Sequence, residues 1–368
     1  NLLSYQLTSG DIFMNLLDFN IDVYYLRLYD MESYLDSVNS DIASLSYNKK
    51  NNHSNKSLVL EFLFNALDID IDSKPKITFI VDPIFQLTPF EALVDTNGNY
   101  LIESTEISYT FSSTIHSILQ KRRYPKSEHK VLVISNPDYI NPKESKSLSG
   151  LVDASLLRED ISKYSIADIH RSFGYIDWQK LPGAEKEGIN IKAVMNSDIL
   201  QKADATEDKL FELSTSGGLK KYSIIHFATH ALSLPELPDA SSIILSKNNA
   251  EKFDGYLTPK EISQLDLQAD FVNLSACETA VGKTYDSEGI IGFAQAFIEA
   301  GANGVLVSLW NVNDQSTAVF MTSFYSHLSK QNTVSKALAL TKREFINGDY
   351  GDEYSKPFYW APYIYYGI

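Results

Sequence analysis

From residue 130 onward, short apolar runs alternate with segments whose apolar residues recur at helical spacing. The apolar runs are continuous rather than alternating with polar residues, which is typical of strands buried on both faces of a sheet. The runs cover residues 131–135, 222–229, 271–276, 304–309 and 363–366. Because strands that alternate with helices favour a mostly parallel sheet flanked by helices, the sequence predicts an α/β fold.

Local signals in this half also mark the ends of helices. Thr258, Pro259 and Glu261 form a capping box with proline at the first helical position, which predicts that a helix starts there. Asp314 precedes a helical stretch and is predicted to be its N-cap. Gly301 is predicted to end the helix before it.

One stretch, residues 289–310, carries a single charge and could imitate a membrane span. However, the sequence Gly-Ala-Asn-Gly at 301–304 interrupts it and separates a helical pattern from a short β-type run. The sequence therefore predicts a buried helix, a turn and a strand here rather than a bilayer segment.

The pattern before residue 130 is less regular. Residues 1 to about 75 are predicted to be mixed helix and loop, and the runs 76–81 and 100–111 are predicted to be strands.

A basic run at residues 121–123, followed by Pro125, is predicted to be a solvated linker. We therefore predict a domain boundary here, with an N-terminal half at 1–128 and a core at 129–368.

The composition predicts packed cores and narrows the classes of partner. Aromatic residues make up 12% of the 368 residues, and the formal net charge is -15. A strongly acidic chain is poorly suited to track phosphates, so direct nucleic-acid binding is not expected and a basic peptide partner fits better. The single cysteine excludes an intrachain disulfide and favours a reducing compartment. Since the chain opens on Asn1 without a basic segment before an apolar one, we expect a cytoplasmic fragment without a signal peptide and no membrane association.

Two reactive side chains lie at the ends of predicted strands. His230 ends the run that begins near residue 222, and Cys277 ends the run that begins at residue 271. Neighbouring parallel strands would bring imidazole and thiol together at the carboxyl edge, as a cysteine nucleophile and its base require. The separation of 47 residues, with histidine first, matches the caspase order. The alternative is that Cys277 is a small core residue and His230 a satisfied core histidine.

Other chemistries find little support in the sequence. One cysteine and seven scattered histidines supply no compact set of metal ligands, and neither a P-loop nor a dinucleotide-binding glycine motif is present. No cofactor or metal is therefore expected. His226, four residues before His230, is predicted to pack in the core because it lies well inside a strand.

Several motifs in order resemble the CHAT domain family, which comprises caspase-like proteins related to separase and usually fused to tetratricopeptide repeats. The resemblance is carried by HFATHA at 226–231, LPELPDASSIIL at 234–245, LTPKEI at 257–262, VNLSACETAVG at 272–282, SLWNVND at 308–314 and FYWAP at 358–362. Upstream, residues 79–83, 87–93 and 181–185 (LPGAE) also resemble that family.

The resemblance implies a cysteine peptidase with a caspase-like core, preceded by a smaller α/β half that resembles an inactive pseudo-peptidase. The family histidine falls on His230 and the nucleophile on Cys277. Family habit further implies a prokaryotic signalling or defence pathway and control by a tetratricopeptide-repeat or other sensor module. The alternative is a catalytically silent, caspase-like scaffold that acts through protein–protein interaction.

The resemblance also implies an oxyanion hole made by the backbone N–H groups of Cys277 and Ala231. The family usually has glycine at the second position, so the hole would be compromised if Ala231 had to adopt a positive φ.

The residue before the scissile bond is expected to be Lys or Arg, and a neutral residue such as Met or Asn is the alternative. The loops that could form its pocket carry acidic residues and a single cation, Lys283, whereas an aspartate-specific pocket needs a guanidinium. The candidate pocket residues are Asp239, Glu278, Asp286 and Asp314.

Overall fold

The computed structural model describes residues 75–80, 88–94, 98–125, 130–139, 164–172, 178–234, 237–247, 253–275, 278–279, 288–310 and 312–368. Only the backbone is described for residues 278–279 and 288–289. The helix-and-loop stretch predicted before residue 75 lies outside these ranges. Two compact units are present: described residues up to 77, together with 88–94 and 98–107, form the first, and the remaining described residues form the second.

The first unit contains a 3-10 turn at Phe90–Ala92 and a short helix, α1, at Leu101–Ser104. The Tyr100 N–H donates to Glu103 Oε1 at 2.7 Å and so satisfies the start of α1. The prediction of one continuous strand over 100–111 is therefore wrong, because a capped helical turn precedes the strand at Glu106–Thr110.

One large sheet forms the centre of the second unit. Its strands are β1 (Lys76–Ile80), β2 (Glu106–Thr110), β3 (Val131–Pro137), β4 (Ser197–Lys202), β5 (Ile224–Ala228), β9 (Phe271–Leu274), β11 (Val305–Ser308) and β12 (Tyr363–Tyr366). Strand β1 contributes to this unit from residue 78 and β2 from residue 108. They follow the spatial order β1-β2-β12-β11-β9-β5-β3-β4. Pairing is parallel for β3 with β4 and β5, for β9 with β5 and β11, and for β2 with β12, whereas β11 and β12 are antiparallel. The predicted mostly parallel α/β sheet is confirmed.

A second, smaller sheet continues from the strand ends of the first. Its strands are β6 (Ala231–Ser233), β7 (Ser242–Ile244), β8 (Tyr256–Leu257) and β10 (Glu278–Thr279), in the order β10-β6-β7-β8. These strands could not be predicted from the sequence, because two or three residues are too few to show a period.

Helices cover both faces of the large sheet. They are α2 (Ser113–Lys121), α3 (Ile166–Ser172), α4 (Pro182–Val194), α5 (Glu207–Thr215), α6 (Pro259–Ile262), α7 (Glu288–Glu299), α8 (Asp314–Ser329), α9 (Val334–Ile346) and α10 (Pro357–Trp360). On β5, the ring of His226 contacts Tyr325 of α8, and the ring of the next residue, Phe227, contacts Phe297 of α7. Since successive strand residues point to opposite faces, α8 and α7 lie on opposite sides of the sheet.

Two of the three predicted helix ends are confirmed. Thr258 and Glu261 form the capping box of α6, and Gly301, with φ of 117°, follows α7. The prediction that Asp314 is an N-cap is wrong. Asn313 is the N-cap of α8, since its side-chain oxygen accepts from the Ser316 N–H at 2.9 Å.

The basic run at 121–123 is solvated only in part, since Lys121 and Arg123 are exposed and Arg122 is half-buried. Arg122 Nη1 donates to the carbonyl oxygens of Ile298 and Ala302, at 3.0 and 2.9 Å, and so binds the carboxyl end of α7. A cation at this end of a helix satisfies its unpaired carbonyl groups. The predicted domain boundary between 128 and 129 falls at residues that the structure does not describe, and it stays a prediction.

The stretch at 289–310 forms α7, a turn at Gly301 and strand β11, as predicted. Among the helices in the described part of the chain, none is long and apolar enough to cross a bilayer.

Gly301→Ala is expected to lower the free energy of unfolding by about 1–3 kcal/mol, because its positive φ disfavours side chains and a Cβ would collide with the Leu267 carbonyl oxygen. Gly292→Ala, in the interior of α7 with open space around it, is the matched control and should stabilise by roughly 0.5–1 kcal/mol. Urea unfolding of both variants measures the difference. Equal effects would show that backbone strain at Gly301 is unimportant.

Candidate active site

His230 lies directly beyond the carboxyl end of β5 and is only 5% exposed. Its Nε2 is 2.7 Å from the carbonyl oxygen of Gln179. Because a carbonyl oxygen can only accept a hydrogen bond, Nε2 carries the hydrogen and Nδ1 is the basic nitrogen of the neutral ring. A backbone carbonyl group thus fixes the tautomer of His230.

Two aromatic rings hold the imidazole of His230 from its sides. The ring centroids of Tyr139 and Trp178 lie 4.9 and 5.2 Å from that of His230. The Tyr139 hydroxyl is 3.1 Å from Thr229 Oγ1, which donates to the Ile244 carbonyl oxygen at 2.6 Å. The backbone and the rings together restrict His230 to one orientation.

A second buried histidine, His170, lies behind this aromatic packing. Its ring contacts the rings of Trp178 and Tyr256 edge-on, and its Nε2 is 2.7 Å from the Ala240 carbonyl oxygen. Burial lowers the pKa of His170 to about 4, although the hydrogen bond to Ala240 opposes this shift. The imidazole is therefore neutral near pH 7 and forms part of the core beneath the small sheet.

A cavity of about 80 Å³ opens beside His230 at the carboxyl ends of β5, β9 and β11. The first turns of α4 and α8 close its other side. The lining residues are Leu181, Ala184, Glu187, Ala228, Thr229, His230, Ser275, Ser308, Trp310, Val312, Asp314, Thr317 and Tyr363. Reactive groups in α/β folds collect at this edge of the sheet, so the cavity is the candidate active site.

The two helices meet at this cavity because Gly183 has no side chain. A Cβ on Gly183 would collide with Cβ of Asp314, so only glycine lets the first turn of α4 approach the first turn of α8 this closely. Pro182 at the start of α4 and Asn313 before α8 fix where each helix begins.

Glu187, a buried carboxylate in this cavity, was missed by sequence reasoning. It is 3% exposed, and its Oε1 accepts from Ser275 Oγ at 2.6 Å. His226 Nε2 lies 2.9 Å from the same oxygen, in a close polar contact that lacks hydrogen-bond geometry. Helical spacing in the sequence could have identified it, because Ala184, Glu187 and Ile191 lie on one buried face of α4.

His226 itself is fully buried within β5, as predicted. Its Nδ1 lies 3.0 Å from the Tyr325 hydroxyl. The core role expected for this histidine is confirmed, with polar contacts on both ring nitrogens.

Cys277 lies outside the described residues, but the residues on either side of 276–277 are placed. The Ser275 N–H donates to the Phe227 carbonyl oxygen at 2.9 Å, which extends the pairing of β9 with β5. After the gap, Glu278 and Thr279 pair in parallel with Leu232 and Ser233 of β6. Both flanking segments therefore lie against the strands that precede and follow His230.

Ala231, the predicted oxyanion-hole residue, starts strand β6 and is not among the described residues with positive φ. The Ile244 N–H donates to the His230 carbonyl oxygen at 2.8 Å, so His230 and Ile244 form a hydrogen-bonded antiparallel pair. Because these pairs alternate, the N–H of Ala231 points away from β7, toward the side on which β10 lies. Alanine at this position therefore introduces no backbone strain.

Of the four predicted pocket residues, two have described side chains. Asp314 lines the cavity, whereas Asp239 is exposed on the turn Pro238–Ala240 and is not among the lining residues. Asp286 and the side chain of Glu278 are not described, so their roles stay predictions.

The described part of the chain is an α/β fold with a mostly parallel sheet and a candidate site at the carboxyl edge of that sheet. The profile of the CHAT domain matches residues 58–368, and this chain belongs to the CHAT domain family.

Two curated relatives are named as tetratricopeptide repeat proteins. Tetratricopeptide repeat protein 28 of Mus musculus is 25% identical over 182 residues, 41% of this chain and 7% of that protein. Its Homo sapiens counterpart is 24% identical over 221 residues, 52% of this chain and 8% of that protein. The chain thus spans less than a tenth of these relatives.

Two solved structures are similar at low identity. The Saccharomyces cerevisiae separase–securin complex matches with a TM-score of 0.43 and 15% identity, covering 79% of this chain and 15% of that chain. The Arg-specific cysteine proteinase gingipain R matches with a TM-score of 0.39 and 11% identity, covering 75% and 56%.

The burial of neutral His170 predicts a loss of stability in acid. Between pH 6.5 and about 4 the unfolded chain binds a proton that the folded chain does not, so stability falls as pH falls through this window. From about pH 7 to about pH 4.5 the contribution is about 2–3 kcal/mol. His170→Gln keeps an N–H donor but cannot titrate, so urea unfolding at both pH values should show a smaller acid loss in this variant. Identical losses would mean that other groups cause the acid sensitivity.

Proposed function

We propose that this chain is a cysteine endopeptidase that cleaves a protein partner through a dyad of Cys277 and His230. The observation that carries the proposal is the setting of His230. Its Nε2 is bound to the Gln179 carbonyl, and its ring lines a cavity that Ser275, two residues before Cys277, also lines.

In the proposed reaction the Cys277 thiolate attacks the scissile carbonyl carbon, and the thiol proton goes to Nδ1 of His230. The imidazolium then gives that proton to the departing amine as the carbon–nitrogen bond breaks, which leaves a thioester. Nδ1 next takes a proton from water, the resulting hydroxide attacks the thioester, and the thiolate leaves.

The backbone N–H groups of Cys277 and Ala231 are proposed to stabilise the oxyanion. Support comes from Ala231, whose N–H points toward the side of β10 and whose backbone is extended. One such donor contributes on the order of 3 kcal/mol to transition-state stabilisation.

A tetratricopeptide-repeat or other sensor module is proposed to regulate the peptidase. The names of the curated relatives support association of CHAT sequences with such repeats. The prokaryotic signalling or defence pathway remains a prediction, as does the cytoplasmic location.

Cys277→Ala and His230→Ala are each expected to lower peptide cleavage by roughly a thousandfold, because one removes the nucleophile and the other its proton carrier. Labelling by an acyloxymethyl-ketone peptide, followed by intact mass, should occur in the wild type and disappear in both variants. His116→Ala, on α2 and outside the cavity lining, is the control.

Two results would contradict this assignment. If no peptide labels the wild type, even with a tetratricopeptide-repeat module present, the catalytically silent scaffold becomes the better description. If His230→Ala cleaves while His226→Ala folds but does not cleave, then His226 is the base.

We further propose that the enzyme cuts after a basic residue. Asp314 places a carboxyl group at the cavity, and the described lining of the cavity contains neither lysine nor arginine. A substrate carboxylate would meet no cation there, whereas an ammonium or guanidinium would be attracted.

Profiling on a peptide library should show Lys or Arg before the scissile bond. Asp314→Asn should lower kcat/KM for basic substrates by about tenfold or less, because Asp314 is exposed and its charge is screened. Cleavage after Met or Asn serves as the internal control and should change little. A preference for Asp or Glu would refute the proposed pocket.

A further inference from the structure

Glu187 is a buried carboxylate to which the proposed reaction gives no role. It lies on α4 with 3% of its surface exposed. A buried carboxylate is unfavourable unless hydrogen bonds or an opposite charge compensate it, so its contacts indicate what it holds in place.

The contacts of Glu187 join two elements of the sheet to the helix layer. Oε1 accepts from Ser275 Oγ at 2.6 Å and lies 2.9 Å from His226 Nε2. His226 in turn contacts the Tyr325 hydroxyl through Nδ1, at 3.0 Å. The chain of contacts therefore runs from α4 to the end of β9, to β5 and to α8.

Ser275 is the last described residue before Cys277, and it is anchored twice. Its N–H binds the Phe227 carbonyl of the neighbouring strand, and its side chain binds Glu187 of the helix layer above. The first contact fixes the end of β9 within the sheet, and the second fixes it relative to the helix layer.

We propose that Glu187 is a positioning residue, which sets the location of the Cys277 nucleophile by holding Ser275 from the first turns of α4. This inference rests on the proposed peptidase function. It assigns Glu187 and Ser275 an indirect role, since neither needs to touch the reacting atoms.

A different role for Glu187 would be to bind the cationic side chain of the substrate, because it also lines the cavity. The geometry favours positioning. The oxygen that carries both contacts, Oε1, is already occupied by a hydroxyl donor and an adjacent imidazole, so the carboxylate is oriented by protein groups. The two roles predict opposite behaviour for glutamine, which keeps the acceptor oxygen but loses the charge.

The test combines Glu187→Ala, Glu187→Gln, Ser275→Ala and the double Glu187→Ala/Ser275→Ala variant. Turnover is normalised to active sites titrated with the ketone peptide, so that partial unfolding does not count as lost activity.

Glu187→Ala and Ser275→Ala should each lower kcat about 10- to 100-fold with KM nearly unchanged, since small displacements of a nucleophile have effects of this size. Glu187→Gln should stay within about threefold of the wild type, because its oxygen still accepts from Ser275. The double variant should be no slower than the slower single variant, since one hydrogen bond is lost in all three.

Glu212→Gln and Glu212→Ala are the matched controls. Glu212 is an exposed residue of α5 that pairs with Lys209 within the same helix, and its removal should leave kcat and KM unchanged.

Two outcomes would overturn the positioning role. One is an unchanged kcat in Ser275→Ala, which removes the hydroxyl with little risk to folding. The other is a raised KM for basic substrates in Glu187→Gln as well as Glu187→Ala, which would make Glu187 a binding site for the substrate cation.

A separate measurement distinguishes failure of this inference from failure of the peptidase proposal. The chain has a single cysteine, so the rate of its alkylation by iodoacetamide reports on Cys277 without requiring turnover. If the wild type neither cleaves nor takes the ketone peptide, the peptidase proposal fails. Alkylation rates that differ between the wild type and Ser275→Ala would still support positioning, and equal rates would refute it.

Discussion

The close approach of α4 and α8 is the constraint on which the candidate site depends. Because Gly183 has no Cβ, the first turn of α4 can lie against Asp314 at the start of α8. Both helices therefore direct their amino ends at the cavity beside His230. The amino end of a helix carries a partial positive charge, and the first turn of each helix carries an acidic residue, Glu185 on α4 and Asp314 on α8. A side chain at position 183 would separate these two ends and change the electrostatics of the cavity as well as its shape.

The two faces of the large sheet differ in the polarity of their contacts with the helices. Toward α7 the contacts are apolar, as between Phe227 and Phe297. Toward α4 and α8 a layer of buried polar groups lies under the cavity, including Glu187, His226 and Tyr325. An apolar layer would stabilise the fold at least as well, but buried polar groups have few alternative partners, so they fix the relative position of helices and strands. The face that needs an accurate geometry is the face that carries the polar layer.

Much of this architecture was predictable, and the exceptions have physical reasons. Continuous apolar runs predicted β3, β5, β9, β11 and β12, because strands buried on both faces leave a strong signal. Strand β4 (Ser197–Lys202) was missed because it lies at the sheet edge, where polar residues interrupt the pattern. The positions of Asp314 and Asn313 were confused because both residue types cap helices equally well, and only the geometry decides between them.

His230 could be identified from the sequence as a candidate site residue, whereas the residues around it could not. His230 ends an apolar run and could be found from that position alone. Arg122 was predicted to lie in a solvated linker and Glu187 was not singled out, because a sequence does not show which carbonyl, hydroxyl or ring a charged side chain meets. Trp178, which contacts His230, precedes a helix start and carries no periodic signal that would connect it to a strand 50 residues later.

Two short crossings of the chain join the large sheet to the small sheet. One crossing lies between β5 and β6 and contains His230, and the other lies between β9 and β10 and contains Cys277. The small sheet also pairs β6 with β10 directly. A force that shifts the small sheet therefore acts on both crossings at once. Because β7 and β8 belong to the small sheet, a protein bound there would act on the proposed dyad of His230 and Cys277 without entering the cavity.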